Sequence, residues 1–405
     1  MESLAWLFSL ERLGMKFGLE NMTVLMAELG EPHRRFPAVL VAGTNGKGSV
    51  TAMVDTALRA ADFSSARYTS PHLVRLEERF VVNGDEVSTP VLEAALTRVR
   101  RAVEALLARG ALAAPATFFE CATAAAFDLF ASASVDIAVL EVGLGGRLDA
   151  TNVVTPLVAA ITTIDFDHQA QLGSTIEAIA FEKAGIIKPG VPVVVGRLPP
   201  LADDVVARVA RDMDAPLIRA HDVAALPRGV QPILAGAHQR DNAIVAIALV
   251  SVLREAGFAV GDDALRQALE GVRWPGRLEL LRYGRTDVLL DAAHNPAGAR
   301  ALAAHLSQAD WADAILVFGA MADKDARGML AELVPVTAGI ICTTAPTPRA
   351  ESAETLAAIA SSLDGTAVET IADPRTALER ACARSRRVVV AGSMFLIGPL
   401  RGILR

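Results

Sequence analysis

The stretch from Val39 to Val50, VLVAGTNGKGSV, limits what this chain can fold into more than any other. Its four opening apolar residues predict a buried parallel strand, and the segment after it, TAMVDTALRAA, predicts a helix. A glycine-rich turn between such a strand and helix points successive backbone N–H groups at a phosphate chain. Lys47 adds a positive charge there, and Ser49 offers a hydroxyl to Mg²⁺.

The turn departs from the common GxxxxGK[ST] form, because Val41 replaces the first glycine and Gly48 separates the lysine from the serine. A tight turn without a ligand is the alternative interpretation. The combination of strand, glycines, lysine and helix favours a nucleotide site.

Composition excludes several classes of protein. A chain of 405 residues is long for one hydrophobic core, so two domains are expected. Its 52% hydrophobic content argues against disorder, and its net charge of −7 argues against a general nucleic-acid binder. The three cysteines are scattered and indicate neither a disulfide framework nor a zinc motif.

No segment indicates a membrane or a secretory route. The apolar opening LAWLFSL lies between two glutamates and lacks a basic start, so it does not indicate a signal peptide. The uncharged run at 242–253 is too short to span a bilayer. We therefore expect a soluble cytoplasmic enzyme with small-molecule substrates, no nucleic-acid or membrane partner, and a monomeric state.

Charged side chains follow the next two predicted strands. Glu141 ends the apolar strand 136–142, where a parallel sheet presents groups that hold nucleotide-bound Mg²⁺. Asp165, Asp167 and His168 follow the strand LVAAITTI, and this placement makes the histidine a metal or phosphate candidate. Lys183 lies in an apolar helix; a surface lysine at a helix end is the alternative.

Two further segments of this half are informative. The loop 70–84 carries Arg75 and Arg79, which would either meet an anionic substrate or belong to a solvated loop, and composition favours neither. A helix is predicted from Thr117 to Ala131, with Thr117 as N-cap and Glu120 completing a capping box.

The pattern restarts near WPGRLEL, residues 274–280, where we place the domain junction. The remainder predicts a smaller α/β unit with polar strand ends, and these gather at the carboxyl edge of a parallel sheet. The strand ends are Asp291, Gly319, Thr344 and Ser393.

Taken together, the motifs resemble the folylpolyglutamate synthase and dihydrofolate synthase family of the Mur ligase superfamily. They are AGTNGKGS, SPHL, EVGLGGRLDATN, DHQAQLG, EKAGIIKPG, GAHQRDNA, PGRLE, DAAHNP, ADKD and GSMFL, in that order, from about residue 12 to about residue 398. The resemblance implies an α/β protein with a P-loop domain of the Mur ligase central type, residues 1–276. It also implies a smaller Rossmann-like glutamate ligase domain, residues 277–405.

The resemblance further implies a reaction. The γ-phosphate of ATP passes to a substrate carboxylate, and the amine of L-glutamate attacks the acyl phosphate. Such a transfer depends on positioning and charge neutralisation, which a lysine, Mg²⁺ and backbone donors supply.

The site residues implied by the resemblance fall into five sets. Catalytic roles fall to Lys47, Lys183, His168 and His294. ATP would contact Gly43, Thr44, Asn45, Gly46, Lys47, Gly48, Ser49, Asn242, Arg277 and Asp291. Two Mg²⁺ ions would use Ser49, Ser70, Glu141 and His168, with Lys183 carbamylated by CO₂. Dihydropteroate would contact Thr117, Phe119, Asp149 and Ala150. Glutamate would contact His294 and Ser393.

The leading hypothesis is a bifunctional enzyme that adds L-glutamate to dihydropteroate and to reduced folates. A monofunctional folylpolyglutamate synthase is a second hypothesis, because TFFE and LDATN also occur in relatives with that activity alone. A regulatory P-loop ATPase is a third. Departures from the family pattern, such as Ala292 in DAAHNP, bear on substrate preference and not on the reaction class.

Overall fold

The structure, a computed structural model, describes residues 2–14, 18–112, 114–363 and 367–405. It divides into two compact units. The first comprises 1–164, 172–233 and 241–272, and the second comprises 165–171, 234–240 and 273–405. The junction at 276/277 remains a prediction. Within the described ranges, no helix combines the length and the apolar character that a membrane crossing requires.

The first unit is built on a mostly parallel sheet of eight described strands. Their bounds are β1 Ala38–Ala42, β2 Ser65–Tyr68, β3 Phe80–Val82, β4 Asp85–Glu86, β5 Ile137–Glu141, β6 Val158–Ile161, β7 Val193–Val195 and β8 Leu217–Arg219. The order is β4-β3-β2-β5-β1-β6-β7-β8, with β3 and β4 antiparallel at one edge. Strands β1 and β5 are buried along their whole length, as the apolar runs predict for central parallel strands.

The second unit has its own sheet of six described strands. Their bounds are β9 Glu279–Tyr283, β10 Thr286–Leu290, β11 Ile315–Phe318, β12 Gly339–Cys342, β13 Ala367–Thr370 and β14 Arg387–Ala391. The order is β13-β12-β11-β14-β10-β9, and only β9 runs antiparallel to its neighbour. A separate hydrophobic core, with Phe318 and Leu316 fully buried, packs against this sheet.

Helices connect the strands of both sheets. The helices within the first 212 residues are α1 Glu2–Ser9, α2 Glu20–Glu28, α3 Lys47–Ala60, α4 Thr89–Ala108, α5 Phe118–Ser132, α6 Gln169–Leu172, α7 Ile176–Ala184 and α8 Pro200–Asp212. The later ones are α9 Ala220–Val223, α10 Ala237–Glu255, α11 Asp262–Gly271, α12 Pro296–Gln308, α13 Ala326–Leu333, α14 Ala353–Ser361, α15 Pro374–Arg384 and α16 Met394–Ile403.

Many of these helices have a short polar residue as N-cap, whose side chain accepts a hydrogen bond from a backbone N–H of the first turn. The predicted capping box is confirmed: Thr117 Oγ1 accepts from Glu120 N–H, and the Glu120 carboxylate accepts from Thr117 N–H. Among the described helices of the second unit, five begin in this way. Their N-caps are Asn295, Asp325, Ser352, Asp373 and Ser393.

Candidate active site

The glycine-rich turn forms the cradle that its sequence predicts. Strand β1 ends at Ala42 and α3 begins at Lys47, so that Lys47, Gly48 and Ser49 lie in the first helical turn. Gly43 and Gly46 have φ values of +145° and +88°. A Cβ on Gly43 would lie 2.0 Å from Thr162 Oγ1. Only glycine therefore fits, and the backbone N–H groups that open α3 are presented for an anion.

Two lysines converge on one backbone carbonyl of this turn. Lys47 Nζ donates to the carbonyl oxygens of Gly43 (3.0 Å) and Thr44 (3.1 Å). Lys183 Nζ, carried by α7, donates to Gly43 O at 2.9 Å. Lys183 is only 4% exposed, so the interpretation as a surface lysine is wrong. Two lysine side chains thus lie beside the turn that is shaped for phosphate.

Glu141 lies at the end of the strand next to β1, in register with Val41. Its carboxylate is 6% exposed and accepts a hydrogen bond from the Ser70 backbone N–H at 3.2 Å. Ser49, in the first turn of α3, is 2% exposed. A carboxylate and two hydroxyls are the oxygen ligands that Mg²⁺ prefers. Within the part of the chain that the structure describes, no three His, Cys, Asp or Glu side chains cluster as a metal site, so phosphate oxygens and water would complete the coordination.

Asn242 also lies beside the turn. It is 5% exposed, and a Cβ built on Gly46 would fall 2.3 Å from its Oδ1. A side chain at Gly46 would therefore collide with Asn242 and would also need a φ of +88°, which favours glycine. The predicted ATP residues in the first unit, 43–49 and Asn242, are therefore brought together.

The residues predicted to contact dihydropteroate have mixed roles. Thr117 caps α5, and the Asp149 carboxylate accepts from the backbone N–H groups of Leu144 and Thr151. Burial raises the pKa of Asp149, although these hydrogen bonds lower it. Phe119 is half-buried against Gly143 and lies 6.1 Å, between ring centroids, from Tyr68. Ala150 is 5% exposed. Phe119 is the member of this set that offers a surface for a flat ligand.

In the second unit, an ionic cluster forms around Asp167. Its carboxylate accepts from Lys324 Nζ at 2.5 Å and from Asn295 Nδ2 at 3.0 Å, and His294 Nε2 lies 3.5 Å away. Lys324 Nζ also lies 3.1 Å from His168 Nε2. Of these five residues, sequence reasoning assigned roles to His168 and His294 alone.

The charge of Asp167 is strongly stabilised. Burial would raise the pKa of this carboxyl, but the hydrogen bond from His294 and the charges of His294, His168 and Lys324 bring the pKa well below its ordinary range. The overlooked Lys324 follows β11 in the motif ADKD, at a strand end like the other predicted groups. That position at a strand end could have identified Lys324 as a candidate from the sequence.

The other predicted residues of the second unit shape its backbone. The Asp291 carboxylate accepts from the N–H groups of Leu278 and Ala293, both at 2.9 Å, and so fixes the segment that carries half-buried Arg277. Ser393 is 2% exposed and caps α16. The predicted metal and ATP residues therefore divide between the units: His168, Arg277 and Asp291 belong to the second.

Comparison with known proteins adds independent findings. Models of the Mur ligase middle domain and of the Mur ligase glutamate ligase domain match residues 41–199 and 276–394. A dihydrofolate synthase/folylpolyglutamate synthase of Bacillus subtilis is 36% identical, over 99% of this chain and 98% of that protein. A probable bifunctional folylpolyglutamate synthase/dihydropteroate synthase of Haloferax volcanii is also 36% identical over 99% of this chain, which spans only 50% of that relative's length.

Solved structures of proteins with the same names have a similar fold. Mycobacterium tuberculosis folylpolyglutamate synthase complexed with ADP has a TM-score of 0.91 at 34% identity, with 99% of both chains covered. A bifunctional folylpolyglutamate synthase/dihydrofolate synthase with Mn, AMPPNP and L-glutamate bound has a TM-score of 0.86 at 34% identity, with 99% of this chain and 98% of that one covered.

Proposed function

The chain belongs to the folylpolyglutamate synthase/dihydrofolate synthase family of Mur ligases, and from this premise we propose that it joins L-glutamate to dihydropteroate and to the glutamate tail of reduced folates at the expense of ATP. The reaction is an ATP-dependent carboxylate–amine ligation. One observation carries the proposal: Lys47 and Lys183 meet at the Gly43 carbonyl, beside a turn shaped for phosphate.

The chemistry requires charge neutralisation more than a protein nucleophile. A carboxylate would expel oxide and is a poor acyl donor, so phosphorylation must come first. The backbone N–H groups that open α3 and the Lys47 ammonium bind the phosphates and offset the negative charge of the transferred group. Because these donors are held by the fold, they need not reorganise during transfer.

A divalent cation fits the residues at the end of β5. Glu141, with the hydroxyls of Ser49 and Ser70, would hold it, and the bound relative with Mn supports this assignment. The ion would neutralise phosphate charge. The residues of this chain orient it: the Ser70 N–H fixes the Glu141 carboxylate, and burial excludes competing water.

We assign Lys183 as a lysine carbamylated by CO₂, which would act as an anion near a second Mg²⁺ together with His168. Carbamylation joins CO₂ to the neutral amine. The 4% exposure of Lys183 and its position at the Gly43 carbonyl, beside the phosphate turn, support the assignment.

The glutamate site is assigned to the second unit, at His294 and Ser393. The cluster of Lys324 and His294 around Asp167 supports it, since cations at the ends of parallel strands suit a dicarboxylate ligand. Three residues complete the ATP set: Asn242 as the adenine contact, Arg277 as the phosphate contact, and Asp291 as the ribose or hinge contact.

A direct assay tests the proposal. Purified protein is incubated with ATP, Mg²⁺ and labelled glutamate, and is offered dihydropteroate or tetrahydrofolate in parallel. Label in both products supports the bifunctional enzyme, and label in the folate product alone supports the monofunctional folylpolyglutamate synthase. ATP hydrolysis that requires neither pterin nor glutamate would support the regulatory ATPase and contradict the ligase.

A further inference from the structure

Arg79 is a buried cation whose contacts do not balance its charge. It ends the short helical turn Leu76–Arg79 before β3 and is 7% exposed. Its Nε donates to His72 Nδ1 at 3.0 Å, and its guanidinium lies 5.2 Å from the centroid of the Phe118 ring. Across the described residues, Arg79 takes part in no ion pair, although other buried arginines do.

The side chains that contact Arg79 include no carboxylate. They are the His72 imidazole, the hydroxyl of the fully buried Tyr68 and the Phe118 ring. An imidazole, a phenol and an aromatic ring can orient a guanidinium, but they do not pair with its charge as a carboxylate does.

Arg67 and Arg401 provide the comparison. Arg67 NH1 lies 3.2 Å from the fully buried Asp55 carboxylate, and Arg401, 9% exposed, lies 2.7 Å from Glu279. These arginines have an internal anion, as a buried charge normally requires. Arg79 is the exception, which indicates that its anion comes from outside the protein.

The surroundings of Arg79 indicate which anion. The Arg79 backbone carbonyl accepts from the Thr69 N–H at 3.1 Å, and the next residue, Ser70, donates its N–H to Glu141 at 3.2 Å, so the segment of Arg79 lies beside the candidate metal ligand. Phe118, against which Arg79 lies, is half-buried, as is Phe119 beside Tyr68. An aromatic acid fits this wall, with its ring against phenylalanine and its carboxylate on the arginine.

We propose that Arg79 binds the carboxylate of the acceptor substrate, the carboxylate that receives glutamate, and holds it near the metal ligand Glu141. This inference rests on the proposed function. Arg79 would also reduce the repulsion between that carboxylate and Glu141, since a cation between two anions attracts both. The other arginine of the loop, Arg75, is exposed and pairs with Glu86, so it does not compete for the role.

The test compares two ligands that differ by one charge: pteroate and the same molecule with a carboxamide in place of its carboxylate. Their dissociation constants are measured by calorimetry with wild type, Arg79→Gln and Arg79→Lys. The control is Arg101→Gln, which removes one exposed arginine from α4. Binding of a non-hydrolysable ATP analogue is measured for every variant, and thermal unfolding shows that each is folded.

We expect Arg79→Gln to weaken pteroate binding by about 10- to 100-fold, because a charge-assisted hydrogen bond is lost. Carboxamide binding should change less than about twofold, as should the binding of the ATP analogue. The loss of pteroate affinity in Arg79→Lys should lie between those of wild type and Arg79→Gln, and carboxamide binding should not change. Lysine keeps the positive charge but lacks the two parallel N–H donors of the guanidinium. Arg101→Gln should match wild type for all three ligands.

Three results overturn the inference. The first is an Arg79→Gln variant that still prefers pteroate to the carboxamide as strongly as wild type, which would leave the proposed ligase intact. The second is a loss confined to the ATP analogue, which would assign Arg79 to phosphate. The third is failure of wild type to bind pteroate, which would reject the proposed function as well. Should Arg79→Gln fail to fold, equal losses for both pterin ligands in Arg79→Lys contradict the inference.

Discussion

The two units hold their strand-end charges in different ways. In the first, Lys47 and Lys183 donate to backbone carbonyls of the glycine turn, and Glu141 accepts from a backbone N–H. In the second, Asp167 and Lys324 bond to each other and to neighbouring side chains. A hydrogen bond to the backbone can stay in place when a ligand binds. A hydrogen bond between two side chains can be replaced by a bond from one of them to the ligand.

This contrast gives each unit a different sensitivity to mutation. Removing a charge from the first unit leaves backbone groups that water can satisfy at little cost to folding. Removing a charge from the cluster of the second unit leaves an opposite charge buried without compensation, which is expensive. We therefore expect substitutions of the strand-end charges in the first unit to act mainly on activity, and removal of Asp167 in the second unit to act mainly on stability.

The largest effect is expected from Lys183→Ala. As a carbamate, Lys183 would supply an anion near Mg²⁺, so the variant should lose at least about three orders of magnitude in turnover, comparable with the loss of a preorganised electrostatic group. Acetate or propionate, small enough to enter the vacated space, should restore part of the activity. Lys188→Ala is the control, since Lys188 also donates to a backbone carbonyl, that of Asn152. Full activity in Lys183→Ala would refute the carbamate.

Lys47→Ala and Glu141→Ala should each reduce turnover by about 10²- to 10³-fold, because each removes a preorganised charge from the phosphate site. Their circular dichroism spectra should stay native. Glu104→Ala, which removes an exposed carboxylate from α4, should leave turnover unchanged. Near wild-type turnover in Lys47→Ala or Glu141→Ala would show that this turn is not the ATP site.

Asp167→Asn tests the cluster of the second unit. We expect a loss of about 3–5 kcal/mol in the free energy of unfolding, because Lys324 then stays buried without its anion. The control is Asp323→Asn, whose surface pair with Arg349 should contribute at most about 1 kcal/mol. Urea unfolding monitored by fluorescence and circular dichroism measures both. Equal losses in the two variants would remove the distinction between the units.

The smallest effect is expected at the pair of Glu279 and Arg401, because the Glu279 side chain is 17% exposed and the Asp167 side chain 7%. Arg401→Met should lower the free energy of unfolding by about 1–2 kcal/mol at pH 7. Burial would raise the pKa of Glu279, but the hydrogen bonds from Arg401 and Gly276 and the charges of Arg401 and Arg405 lower it below its usual value of 4.5.

The sign of the pH dependence follows from that direction. The ionised Glu279 contributes stability above pH 4.5, and the contribution is lost as the pH falls below this value, because the unfolded chain then binds the proton more readily. The difference between wild type and Arg401→Met should therefore shrink between pH 5 and pH 3. A difference that stays constant over this range would show that the pair does not set the acid sensitivity.

Much of the fold follows from local sequence. The helix after the glycine turn and the Thr117 capping box form as predicted because their hydrogen bonds join residues only a few positions apart. The apolar runs that became β1 and β5 are central because no polar side chain interrupts them. The strand ends were a sound guide to candidate residues for the same reason: a parallel sheet brings its carboxyl ends to one edge.

The tertiary structure decided which of these residues meet. Lys183 reaches Gly43 across 140 positions of sequence, and Lys324 reaches Asp167 across 157. It also distinguished Arg79 from Arg75, which composition left equal. Such contacts depend on the order of strands in each sheet and on which side chains of each loop are buried. Local sequence determines the elements and their ends, whereas only the packing of distant elements determines whether a charge lies in water or beside a partner.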